Sequence, residues 1–150
     1  MTEFRRSRTI ALALAAAAAL TLGAAGAAQA APPTVTTVPL NTGQEVPAPT
    51  EGGAHGFFSY EIEGDQLCYT LEVTGLSSPA AAAHIHVGER NVPGPVVVPL
   101  MVENATSFEV SDCTTADAAL LADIEANPKN YYVNVHTPMN MPGEVRGQLK

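Results

Sequence analysis

Positive charge is scarce in this chain: seven Lys and Arg stand against fifteen Asp and Glu. The few basic residues are also unevenly placed, since Arg5, Arg6 and Arg8 lie in the first thirty residues together with only one acid, Glu3. From residue 31 onward the balance is therefore 4 − 14 = −10. Such a domain repels phosphate backbones and anionic lipid, which argues against nucleic acid as a partner. After the short run from Ile10 to Leu22 no apolar stretch reaches spanning length, so the expected mature chain has no membrane span. Nucleophile elbow, P-loop and paired-carboxylate signatures are missing too. "GERNVPG" at residues 88–94 lacks the lysine and hydroxyl of a phosphate cradle and reads as a turn. Asn104-Ala105-Thr106 is a formal glycosylation sequon, relevant only in a pathway that uses it.

What is present starts with an export signal. The arginines form a basic n-region, Ile10–Leu22 is rich in Ala and Leu, and "AQA" at Ala28–Ala30 offers the small residues signal peptidase needs. Cleavage after Ala30 is expected, leaving a short linker over 31–37 and one domain over 38–149. A retained anchor is the rival reading, disfavoured by a short core rich in Ala and Gly. Arg5-Arg6 also hints at twin-arginine export, although the residues after the pair match that signal poorly. The expected location is extracytoplasmic: periplasm, cell surface or medium. The 120 residues left suffice for one core.

Only two cysteines occur, Cys68 and Cys113. Outside the cytoplasm an even count in a small domain favours a disulfide, with two buried thiols as the alternative. Around them, short alternating segments separated by Gly, Pro and Asn clusters predict an antiparallel β domain. "HGFFSYEI" and "QLCYTLEV" flank "EGD" as a hairpin. "TTADAALLADIEANP" breaks the pattern: Thr114 with Asp117 resembles an N-terminal cap, Leu120, Leu121 and Ile124 form a helical stripe, and Asn127-Pro128 ends it.

Four histidines are available, and their strand parity is informative. In residues 82–88 Ile85 and Val87 share one face, while His84 and His86 share the other. In residues 131–137 the inward set Tyr131, Val133 and Val135 sends Tyr132, Asn134 and His136 outward. If "PMNMPG" closes a hairpin that sets Val135 against Val145, then His136 opposes Glu144, Asn134 opposes Arg146 and Tyr132 opposes Gln148, while a slip of two residues would keep the same faces with other partners. A carboxylate beside a histidine orients its ring, so Glu144, Asn134 and Arg146 are candidate supports for His84, His86 and His136. A cross-strand bond from Arg146 to Asn134 is expected. Imidazoles at i and i+2 of a strand can chelate one ion, and a third from another strand makes a three-nitrogen set suited to zinc or copper. Surface histidines with loop contacts are the plainer reading. His55 is read as solvated.

"AAHIHVG", "PGPVVVPL", "YYVNVHT" and "PGEVRGQL", in this order, with "NTGQEVP" near the start, resemble the CHRD domain, named for its repeats in chordin. The likeness runs from about Val38 to Leu149. It implies an immunoglobulin-like or superoxide-dismutase-like Greek-key β-sandwich with a cysteine pair and a short helix, and no agreed activity. "HIHVG" is similar to the HxH that supplies copper ligands in copper/zinc superoxide dismutases, but four histidines cannot build that bridged two-metal site. The leading expectation is a non-catalytic exported binding module for an extracellular or surface partner, with one copper or zinc ion at His84, His86 and His136. A copper-dependent redox enzyme and a structural or adhesive surface module are the alternatives.

Overall fold

Gly64 and Asp65 reverse the chain between β2 (His55–Glu63) and β3 (Gln66–Thr74), and they do so in a two-residue loop because Gly64 takes a φ of 63°. The two strands then pair without interruption from Glu63↔Gln66 to His55↔Thr74. The structure is a computed structural model that describes residues 35–150. The expected export signal lies outside the described residues, and β1 (Thr36–Asn41) begins inside the stretch read as linker. The other strands are β4 (Ala82–Val87), β5 (Val96–Leu100), β6 (Phe108–Thr115), β7 (Tyr131–His136) and β8 (Val145–Gln148), with one helix, α1 (Ala118–Ala126). The fold is all-β and antiparallel, as expected.

All eight strands belong to one sheet in the order β5-β4-β7-β8-β1-β2-β3-β6. Between β8 and β1 the ladder narrows to a single register pair, Asn41↔Arg146. There the sheet creases, and its two leaves close on a shared core that includes Ile85, Val133 and Val145 from one leaf and Val38, Phe58 and Leu71 from the other. The sandwich is thus one folded sheet. Gly147 sits at the crease because a Cβ there would stand 2.7 Å from Leu40 Cδ2, Pro39 O and Val38 Cγ1. No larger residue lets β1 pass so close.

Alternation delivers the core. Leu67, Tyr69, Leu71 and Val73 of β3 are buried, while Cys68 points to the other face, in register with Cys113 of β6. The two cysteines are bonded. The helix seals one end with Leu121 and Ile124 buried and Leu120 packed beside them. Its cap is Asp117 alone, whose carboxylate accepts from Leu120 N at 3.0 Å. Thr114, expected to take part in that cap, is still inside β6 opposite Leu67. The strand outruns the cap motif. Tyr131 ties the helix to β7 by donating its hydroxyl to Asp123. Burial together with this bond pushes the phenol up to about 12.

Candidate metal centre

β4 pairs with β7 so that His84 faces Asn134, His86 faces Tyr132 and Ala82 faces His136. β7 pairs with β8 so that Asn134 faces Arg146, Tyr132 faces Gln148 and Val135 faces Val145. Strand parity then puts His84, His86, Tyr132, Asn134, His136, Arg146 and Gln148 on one face, away from the aliphatic core. That face is not open to water as the sequence suggests. Tyr132, Asn134 and Arg146 are buried, and His86 is only 7% exposed.

The cover is the segment 88–95, which folds back over the sheet and is held by its own backbone. Arg146 Nη2 donates to the carbonyls of Glu89 and Val92 at 2.8 and 3.1 Å. Gly94 N donates to Tyr132 Oη at 3.1 Å, and the Gly94 carbonyl accepts from His86 Nδ1 at 2.8 Å. The Arg146 guanidinium lies over the Tyr132 ring, 3.3 Å from its centroid. The same ring stacks on His86 at 4.7 Å. Arg146 thus makes no bond to Asn134, contrary to expectation: its long side chain reaches past its cross-strand neighbour to the loop. Asn134 instead donates to the Pro142 carbonyl at 3.3 Å.

The three histidines come together. One ring nitrogen from each lies within 4.8 Å of the others, and His84 Nδ1 is 3.1 Å from His136 Nε2. Two of the tautomers are set by main-chain carbonyls. A carbonyl only accepts, so His86 Nδ1 donates to Gly94 O and His136 Nδ1 donates to Met141 O at 2.9 Å. In the neutral rings this leaves the Nε2 lone pairs of both available. His86 Nε2 is buried and has no hydrogen-bond partner among the described residues. Burial lowers all three histidine pKa values, His84 to about 4 with help from the neighbouring His136 and His86 rings. The cluster is therefore neutral at pH 7, the state in which imidazole ligates metal.

Glu144 lies elsewhere. Its carboxylate accepts from Ser77 N, Ser77 Oγ, Thr137 Oγ1 and Asn140 Nδ2 at 2.6 to 3.0 Å. Burial would raise its pKa, but these four bonds outweigh it and hold the group ionised, below the usual carboxylate range. The expected pairing with His136 fails because β8 begins only at Val145, so residue 144 precedes the ladder and turns toward Thr137. His55 sits apart, bonded to Gly53 O.

One buried group was not legible in advance. Glu45, in the segment after β1, is 5% exposed, and its Oε1 has no partner among the described residues. Burial raises its pKa to about 7 against the neighbouring Asn134 amide and the Arg146 charge. Gly143, with φ of 140°, packs on this carboxylate, where a Cβ would collide with it. Its sequence neighbourhood, "NTGQEVP", carried a family signal but no chemical one.

A family model for the CHRD domain matches residues 36–149. This chain belongs to the CHRD domain family. No curated protein and no solved structure matches it. In this CHRD domain the matched region spans β1 to the end of β8, so the histidine cluster, the covering segment and Glu45 all lie inside the family unit. Among the described residues no helix is long and apolar enough to cross a membrane. The Cys68–Cys113 bridge fits an oxidising compartment.

Proposed function

We propose that this CHRD domain is an exported, non-catalytic binding module that holds one copper or zinc ion between His84, His86 and His136 and serves an extracellular or surface partner. The observation carrying the reading is the approach of His84 Nδ1 to His136 Nε2, 3.1 Å. Two nitrogens each about 2.0–2.1 Å from one tetrahedral ion stand roughly 3.3 Å apart, so the pair is already spaced as co-ligands. The buried, unpartnered His86 Nε2 supplies the third donor, and binding would relieve the cost of leaving that lone pair unsatisfied. Carbonyls of Gly94 and Met141 act as the outer acceptors that fix ring orientation in metal sites. Asn134 flanks the cluster, and Arg146 serves it by holding the covering segment, while Glu144 organises the turn after β7.

The test is calorimetric titration of metal-free, untagged protein with Cu(II) and Zn(II), alongside His84→Ala and His136→Ala. One-to-one binding that drops by about a hundredfold or more in each variant is expected. Wild type and variants binding equally weakly would refute the centre. The redox-enzyme alternative requires superoxide consumption by copper-loaded protein that disappears in His84→Ala.

A further inference from the structure

Three methionines lie among the described residues, Met101, Met139 and Met141, and none is used in the core. They are instead 60%, 67% and 69% exposed. Methionine is ordinarily a core residue, valued for filling irregular gaps. Here the core is filled without it, and the thioethers are displayed.

Their backbone positions fall near the His136 end of the histidine cluster. Met139 and Met141 flank Asn140 in the turn between β7 and β8, and that turn is tightly held. Asn140 N donates to Thr137 O and Oγ1, and its Nδ2 donates to Ser77 Oγ and Glu144 Oε2. The Met141 carbonyl accepts from His136 Nδ1, which fixes the Met141 backbone beside the ring. Met101 comes from the other side. Ala83 pairs with Leu100 and Ala82 pairs with His136, so the residue after Leu100 lies in the row of His136, with one strand between. Neighbouring strands are about 4.8 Å apart, so the two backbones are within the combined reach of a methionine and a histidine side chain. Leu100 faces the core, and alternation turns Met101 toward the face of His84 and His136. Its backbone is held by Tyr69 Oη, which accepts from Met101 N at 2.6 Å.

We infer that these thioethers form a soft-ligand lip over His84 and His136, and that the combined nitrogen and sulfur set binds copper as Cu(I), with Met139 or Met141 ligating beside the imidazoles. The inference rests on the three-histidine reading above and specifies its metal and oxidation state. Thioether sulfur is a soft donor that selects Cu(I), whereas zinc and Cu(II) gain little from it over imidazole. The turn needs no rearrangement of its anchor to take part, because Asn140 holds the backbone and the unbranched side chains on either side are free to swing.

The experiment compares wild type, Met139→Leu/Met141→Leu, Met101→Leu and His136→Ala as metal-free, untagged proteins. Cu(I) affinity is measured anaerobically by competition with a chromogenic chelator, Cu(II) affinity by calorimetry, and the Cu(I) environment by X-ray absorption. Leucine conserves volume at these exposed positions, so the fold is retained. The expected result is a sulfur scatterer in the wild-type Cu(I) complex that is lost in the double variant, with Cu(I) affinity falling about tenfold or more relative to Cu(II) affinity. No sulfur in the wild-type complex, or an unchanged ratio of affinities in the double variant, overturns the inference while leaving the three-histidine centre intact. The methionines would then be an apolar surface patch. Wild type and His136→Ala binding both ions equally weakly would overturn the centre itself.

Discussion

The Arg146 guanidinium lies 3.3 Å from the centroid of the Tyr132 ring, and both side chains also bond to the segment that covers the histidine face. Arg146 is 1% exposed, yet it finds its acceptors in the main chain of the covering segment. A buried guanidinium is tolerated when its donors are satisfied and its plane is stacked on a ring. Arg146→Lys keeps the charge but loses both the fork and the stack. It is expected to cost about 3 kcal/mol in chemical denaturation, and Tyr132→Phe, which removes only the Gly94 contact, about 1 kcal/mol. Equal, small losses in both variants would show that the segment is held by other means.

Glu144 reaches the histidine cluster only through the turn it organises. Glu144→Ala removes one carboxylate and strands donors on Ser77, Thr137 and Asn140, a change expected to cost about 3 kcal/mol or more. The loosened turn should also free Met141 O from His136 and lower Cu(II) affinity about tenfold. A variant that is destabilised but binds Cu(II) as wild type does would separate the turn from the centre.

Glu45 gives the pH dependence of stability a distinctive sign. Its folded pKa is about 7, above the ordinary 4.5. Between those values the folded state holds a proton that the unfolded state has released, so this group's contribution favours folding at low pH and is lost as pH rises toward 7. Above pH 7 its burial costs on the order of 3 kcal/mol. Glu45→Gln, measured with chelator present, should therefore gain stability relative to wild type as pH rises from 4.5 to 7 and keep that gain above. A difference between the two proteins that does not vary with pH would mean the carboxyl titrates normally.

The Cys68–Cys113 bridge closes a loop with a sequence separation of 45, for which chain entropy predicts a stabilisation of about 4 kcal/mol. Reduction, or replacement of both cysteines by serine, should lower the melting temperature by roughly 15 °C. A shift of only a degree or two would show that the cross-link adds little to the ladder between β3 and β6.

Strand positions and side-chain faces were legible because a period of two is written directly into residues such as Ile85 and Val87 against His84 and His86. Parity put Val145, Gly147 and Leu149 inward but allowed a slip of two residues, and the ladder itself selects Val135 against Val145. At the covering segment the deciding groups were backbone atoms. Nothing in "GERNVPG" distinguishes carbonyls that will accept from Arg146 from any other carbonyls, so the covering segment read as a plain turn. Glu144 was misplaced by a single residue at a strand start, which is enough to turn a side chain to a different set of partners. Glu45 sat in a stretch whose prolines and glycines marked it as irregular, and irregular chain carries no periodicity from which burial can be read.

The crease between β8 and β1 also keeps two chemistries apart. The imidazoles belong to β4 and β7 on the outside of one leaf, and the cystine joins β3 to β6 on the outside of the other, with the aliphatic filling, about 10 Å thick, between them. An ion held at the proposed three-histidine centre would therefore be separated from the cystine by the full thickness of the core.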